Sequence, residues 1–306
     1  MPQIIDSHIH LSHIKFDGEF TILTYAEGEY ATVQHYTRAQ LANDLRAAGI
    51  SACIDPAIDI TSNARVLAAA QEFPGFVYPA VGVHPTRTYQ YMPSAAPEKP
   101  DRPLKLHWRD RRALLRYAAD PRVIAIGETG LDYHKERRTQ HRLRQKAWFL
   151  WQLRLAHKKA LPVILHIRAA HTDAFRILKR HRKWLHGGVC HCFRGDAAQA
   201  GELTSLGLML GIGGALLQQF SGLPALEQAV RETPLEFLLL ETDGPEVAPA
   251  CPDLPEKRVR RARNTSLILP AVAERIAALK GISADEVITV TAENAERLFH
   301  LHGRPT

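Results

Sequence analysis

The sequence predicts an α/β fold, a (β/α)8 TIM-type barrel with extended loops and C-terminal helices. Three observations carry that expectation. Short β-rich runs alternate with amphipathic helical stretches along the chain. Eight such runs occur, and strands separated by helices pair in parallel through right-handed crossovers. Several runs are apolar throughout, such as Val123-Ile-Ala-Ile126, Pro162-Val-Ile-Leu165 and Phe237-Leu-Leu-Leu240. A strand covered on both faces reads that way. The 306 residues suit one barrel with additions, read as a single domain over residues 1–306.

In chain order the expected strands are Gln3–His8, Ile50–Asp55, Phe76–Gly82, Val123–Glu128, Pro162–Ile167, Gly188–Cys192, Gly207–Gly213 and Leu235–Glu241. Helical periodicity marks Arg38–Ala48, Ser62–Glu72, Arg138–His157, Thr172–Arg182 and Asp196–Leu206 between them. Near the C-terminus Ser283 followed by Glu286 makes a capping box, and Leu298 with Phe299 closes the last apolar face. Two stretches exceed a minimal barrel. Residues 12–37 are polar and aromatic, with Tyr25, Tyr30, His35 and Tyr36, and residues 86–109 are rich in proline and charge. Both follow C-terminal strand ends, the face where barrel active sites form, so both are expected to be loops shaping the mouth.

Composition excludes several classes. An apolar fraction of 45% rules out disorder as the dominant state, and no run of 18 apolar residues is present to span a membrane. Four cysteines make no disulfide framework, and Cys190 and Cys192 are too close to pair without strain. A cytoplasmic, reducing setting follows as the expectation, since the start Met-Pro-Gln-Ile-Ile-Asp lacks signal-peptide character. Either a monomer or a homodimer is compatible with the sequence.

The 16 histidines ask for an explanation. His8 and His10 flank Ile9 at the end of the first strand, and residues i and i+2 of a strand share a face, so both imidazoles can reach one metal. Other ligand types recur at later strand ends: Glu128, His166, His191 and Asp243. A closed barrel brings those ends to one mouth. Imidazoles with carboxylates suit divalent ions of the zinc, manganese or magnesium type. With His191 facing the mouth, Cys190 and Cys192 are expected to face the helices as small buried hydrophobes. Apart from these ligands and His84, the remaining histidines, among them His13, His35, His181 and His302, read as surface or loop residues.

These residues also carry a resemblance. Asp6-Ser-His-Ile-His10-Leu, Gly82-Val-His-Pro85, Ile126-Gly-Glu-Thr-Gly-Leu-Asp132-Tyr, Leu161-Pro-Val-Ile-Leu-His166-Ile-Arg168, His191-Cys-Phe-Arg-Gly195, Leu240-Glu-Thr-Asp243 and Asn294-Ala-Glu-Arg-Leu-Phe299 resemble, in order, the signatures of the TatD-family metal-dependent hydrolases. The resemblance implies an amidohydrolase-type barrel with magnesium- or zinc-dependent deoxyribonuclease activity. It further implies two divalent ions. One would be held by His8, His10, Glu128 and Asp243, the other by Glu128, His166 and His191, with Glu128 bridging. Three departures bear on substrate identity: Arg263-Asn264-Thr265-Ser266 where many relatives carry a carboxylate, Arg194 where a small hydroxyl residue is common, and the two long loops, which exceed those of a minimal relative.

Two cations sharing a carboxylate lower the pKa of water towards neutrality, which suits hydrolysis. Asp243 and Glu128 are the expected catalytic residues, Asp243 accepting the proton of the attacking water. Substrate class is read from charge. Lys257, Arg258, Arg260, Arg261 and Arg263 follow the last strand, near the mouth, and suit phosphate contacts of a polyanion such as DNA. Arg168, two residues beyond His166, would clamp a phosphate, and His84 is a third substrate-side candidate. The leading expectation is therefore a two-metal phosphodiesterase acting on DNA, exonucleolytically on single strands. Its alternative is an amide, ester or lactone hydrolase of the amidohydrolase type, which includes ester cleavage on aminoacyl-nucleic acids. A non-catalytic barrel with a relict site is the remaining reading, and the complete ligand set argues against it.

Overall fold

Parallel strands need long crossovers, and the chain supplies them in turn. The computed structural model describes residues 3–35, 37–89, 108–251 and 254–301. Strand β1 (Ile4–Asp6) is followed by a hairpin, β2 (Phe20–Ala26) and β3 (Glu29–His35), and by helix α1 (Arg38–Ala47). Next come β4 (Ile50–Pro56), α2 (Ser62–Glu72), β5 (Val77–Val81), α3 (Trp108–Tyr117), β6 (Ala125–Asp132) and α4 (Thr139–Lys159). The chain continues through β7 (Val163–Arg168), α5 (His171–Arg180), β8 (Gly188–Cys190), α6 (Ala197–Thr204), β9 (Met209–Ile212) and α7 (Leu223–Glu232). It ends with β10 (Leu238–Leu240), α8 (Glu256–Arg261), β11 (Ala262–Arg263), α9 (Leu269–Lys280) and α10 (Ala284–Phe299).

Eight parallel strands form one sheet in the order β1-β4-β5-β6-β7-β8-β9-β10. Its two ends meet just beyond β1 and β10. Ser7 N donates to Leu240 O at 2.9 Å, Asp243 N to His8 O at 2.8 Å, and His10 N to Gly244 O at 2.8 Å. The barrel therefore closes through the segments that carry His8, His10 and Asp243, so the seam and the mouth are built from the same residues.

Local sequence explains the elements. Thr37, Asp196 and Ser283 accept hydrogen bonds from the amides of Gln40, Gln199 and Glu286, opening α1, α6 and α10. The core has two layers. Ile5, Ile54, Ala80, Ile164, Val189 and Leu239 fill the barrel, and Ala295, Leu298 and Phe299 of α10 pack on them as a plug. A larger apolar layer lies between sheet and helices. Asn294 of α10 donates its Nδ2 to Leu235 O and Leu238 O, both at 2.9 Å, which fixes the plug at the start of β10.

The structure departs from the sequence expectation in four places. Residues 12–37 are not a plain loop. Glu27 (φ 53) and Gly28 (φ 87) form a two-residue turn with both φ positive, which matches strand twist and closes the β2–β3 hairpin. That hairpin pairs in parallel with β11, through Ala262↔Thr21 and Arg263↔Ile22. His35, at its end, is buried rather than exposed, lying against Phe20 and bonded to Asp44. Secondly, β6 runs past its expected end at Glu128 to Asp132, with a register shift between Ile126 and Thr129. Thirdly, residues 235–237 form a 3-10 turn that precedes β10. Fourthly, β8 ends at Cys190. Of the expected loop 86–109 and of Tyr36, residues 90–107 and residue 36 lie outside the described residues, and α3 begins within the loop's end at Trp108. No described helix is long and apolar enough to cross a membrane.

Phe299 is fully buried in the barrel plug. The change Phe299→Ala should cost about 3 to 5 kcal/mol of folding stability, read by urea unfolding. A loss below about 1 kcal/mol would show that α10 does not seal the barrel.

Candidate metal centre and active site

Glu128 sits within the β6 register shift between Ile126 and Thr129, and its side chain is buried among the imidazoles. Its Oε1 lies 3.6 Å from His8 Nε2 and 3.2 Å from His10 Nε2. Asp243 Oδ1 faces the same two nitrogens at 3.6 and 3.5 Å. The other oxygen, Oε2, lies 3.0 Å from His191 Nε2, 3.6 Å from His166 Nδ1 and 3.7 Å from His84 Nε2. All six residues expected as ligands thus converge. His84, expected only on the substrate side, joins them. Ligand atoms fall into overlapping groups among the described residues: His8, His10 and Asp243; His8, Glu128 and His191; His84, Glu128 and His166.

The cluster's electrostatics call for positive charge. Burial alone would raise the Glu128 pKa, yet His191, His84, His10 and His166 hold it well below the usual range. Asp243 behaves alike: burial opposes ionisation, and His10 with the other imidazoles lowers it to about 2. Burial also disfavours protonation of His10 and His166. Contacts with Asp243 and Glu128 nevertheless raise His10 well above its usual value, and contacts with Asp132 and Glu128 raise His166 to about 9. His8 and His84 go the other way, to about 4 and about 3, through burial and then through His191 and His166 respectively. Both ring nitrogens of buried His8 and Nδ1 of His191 lack a hydrogen-bond partner. Orphaned buried imidazoles facing ionised carboxylates fit divalent cations, since a cation satisfies both at once.

Outer contacts orient the ligands. His10 Nδ1 meets Pro56 O at 2.9 Å, which leaves Nε2 for the centre. His166 Nε2 meets Asp132 Oδ2 at 3.1 Å. Asp6 accepts from His8 N, Thr242 N, Thr242 Oγ1 and Ser266 Oγ, tying the two sides of the seam together. Burial pushes its pKa up to about 6 in spite of these bonds. Helix α4 presents Gln145 and Gln152, seven residues apart on one face. Gln145 exchanges two hydrogen bonds with the backbone of Asp132, and Gln152 does the same with Val83, next to His84. Sequence reasoning missed these roles for Asp6, Asp132, Gln145 and Gln152. A polar residue spaced at a helix repeat on a buried face was the signal available.

The segment Arg263-Asn264-Thr265-Ser266 also acts here. Asn264 Nδ2 donates to Thr242 O at 2.8 Å and Ser266 Oγ to Asp6 at 2.7 Å, so this stretch braces the seam. Cys190 is buried as expected and Cys192 is half-buried, and both border the cleft beside the cluster rather than facing the helices alone. The strand has ended two residues earlier and Cys192 adopts φ 46, so strand alternation no longer governs it. Its amide donates to the buried Glu241 carboxylate.

A cleft of about 800 Å³ opens beside the cluster, lined among others by His166, Arg168, His191, Arg194 and Asp243. Arg168 is exposed at the end of β7, on the cleft as expected. Arg261 is exposed at the end of α8, and Arg263 is half-buried in β11; neither lines this cleft. Arg260 is ion-paired with Glu256 on its own helix.

Asp132 contacts no other ligand of the cluster than His166, so its removal should act through that ring. The change Asp132→Ala should weaken divalent-ion affinity about 10- to 100-fold, measured by titration against a chelator. Unchanged affinity would deny Asp132 the positioning role.

The family described as TatD related DNase matches the chain over residues 5–300. The 3'-5' ssDNA/RNA exonuclease TatD of Edwardsiella piscicida is 34% identical over 262 residues, covering 86% of this chain and 93% of that protein. The metal-dependent hydrolase YabD of Bacillus subtilis is 28% identical over 299 residues, covering 98% of this chain and all of the relative. Among solved structures, the TatD homolog YJJV of Escherichia coli superimposes with a TM-score of 0.74 at 26% identity, covering 97% of this chain and 98% of that one. With this coverage, fold and ordered motifs, the chain belongs to the TatD-related DNase family of metal-dependent hydrolases.

Proposed function

We propose that the chain is a two-metal phosphodiesterase that removes nucleotides from the end of single-stranded DNA. The observation that carries this reading is the division of the Glu128 carboxylate, with Oε1 facing His8 and His10 and Oε2 facing His191, His166 and His84. On this reading His8, His10, Glu128 and Asp243 hold one divalent ion, and Glu128, His166 and His191 hold the other. His84 adjoins the second group. Magnesium, manganese or zinc ions held there supply Lewis-acid stabilisation of a phosphoryl oxygen and a water of lowered pKa.

The chain's own groups supply the rest. Asp243, ionised at neutral pH, takes the proton of the attacking water at a carboxylate oxygen and delivers it to the leaving oxygen. Arg168, on the cleft, holds a non-bridging phosphate oxygen. His84 stays neutral through burial, and because its Nδ1 accepts from Thr86 N its Nε2 carries the proton and can donate one hydrogen bond near Glu128. Arg261 and Arg263 lie further out and suit more distant phosphates. The relative from Edwardsiella piscicida, named a 3'-5' ssDNA/RNA exonuclease, supports a single-stranded substrate and attack from a 3' end. Cys53, Cys190, Cys192 and Cys251 form no disulfide, which suits a reducing, cytoplasmic setting.

End-labelled single-stranded DNA should be shortened stepwise by the purified protein with one of the three metals. The change Glu128→Gln should lower the rate about a thousandfold or more, because it disrupts both groups at once. Absence of hydrolysis with every metal, or retained activity in Glu128→Gln, would overturn the reading.

A further inference from the structure

A cleft of about 800 Å³ is larger than one phosphodiester group needs, and its charges are unequally matched. His171 Nε2 lies 2.6 Å from Glu202 Oε2, and Glu246 is ion-paired with Lys15. Asp243 faces His8 and His10. Arg168 and Arg194 remain, and neither has a carboxylate within ion-pairing distance among the described residues. Two guanidinium groups line the cleft without a protein carboxylate to neutralise them, which leaves its charge suited to an anionic ligand.

The placement of Arg194 adds geometry to the charge. It follows His191 by three residues, so the backbone that carries a cluster imidazole also carries this cation into the cleft. Its Cζ lies 5.7 Å from the Phe220 ring centroid, a cation-π distance. An aromatic neighbour favours a fixed guanidinium, whose planar set of N–H groups matches two phosphate oxygens.

We propose that Arg194 forms a subsite for a second phosphate of the nucleic acid strand, next to the phosphate undergoing cleavage, with Arg168 holding the reacting one. The proposal rests on the phosphodiesterase reading above and names the specificity residue of that site: Arg194 separates a strand from a lone diester. It assigns the preference for a polyanion to the His191 side of the mouth rather than to the basic segment after β10.

Two substrates and two variants test it: a single-stranded oligonucleotide and bis(p-nitrophenyl) phosphate, a diester with one phosphate. In the variant Arg194→Ser, the preference for the oligonucleotide over the small diester, as a ratio of kcat/KM, should narrow about tenfold, mainly through KM. The slope of log affinity for the oligonucleotide against log salt should become shallower by about 0.7. Arg194→Lys keeps the charge without the fork, so it should retain most of the slope and recover only part of KM. An equal loss on both substrates, or an unchanged salt slope, overturns the subsite. Failure of the wild-type protein to cleave the oligonucleotide with any metal overturns the phosphodiesterase reading itself, and is distinct because it precedes any comparison of variants.

Discussion

One carboxylate placed between two sets of imidazoles is the constraint on which the rest of the structure depends. Glu128 is buried and points its two oxygens in different directions, towards His8 and His10 on one side and His191, His166 and His84 on the other. An unpaired carboxylate in such a place would protonate, since burial alone raises its pKa. Here the surrounding rings reverse that tendency. The β6–β7 pairing shifts register at this residue, between Ile126 and Thr129.

The supporting shell follows from the same requirement. Ionised carboxylates among imidazoles need rings whose orientation does not drift, and His10, His84 and His166 each have an outer contact, whereas His8 and His191 have none on their far nitrogen. Pro56 O holds His10 and Asp132 holds His166. The backbone of Asp132 and of Val83 is held in turn by Gln145 and Gln152 of α4. Asp6 plays the corresponding part at the seam, where β1 and β10 exchange hydrogen bonds beyond their regular ends. Stability and site are therefore coupled there: the contacts that close the barrel also set His8 and Asp243.

Much of this was legible in the sequence, and for identifiable reasons. A strand period of two predicts His8 and His10 on one face, and although β1 ends at Asp6 and the chain bends at Ser7, both rings still reach Glu128 and Asp243. Apolar runs bounded by helices located the barrel strands, and Ser283 with Glu286 opened the last helix where expected. What escaped was set by tertiary contacts. The Glu27-Gly28 turn was there to be read, but the polar character of its surroundings masked the hairpin. Cys192 defied alternation because its strand had already ended. His84 was expected at the mouth, and its approach to Glu128 itself, at 3.7 Å, is set by the pairing of β5 with β6. The basic residues after β10 illustrate the reverse: charge density in sequence did not place them on the cleft, whereas Arg194, a single residue, lines it.

The central claim is that one carboxylate joins two cation sites, and anomalous scattering tests it most directly. Crystals soaked in manganese or zinc should give two anomalous peaks on either side of Glu128. One should lie among His8, His10 and Asp243, and the other among His166 and His191. A single peak, or two peaks with Glu128 bound to neither, would contradict the account.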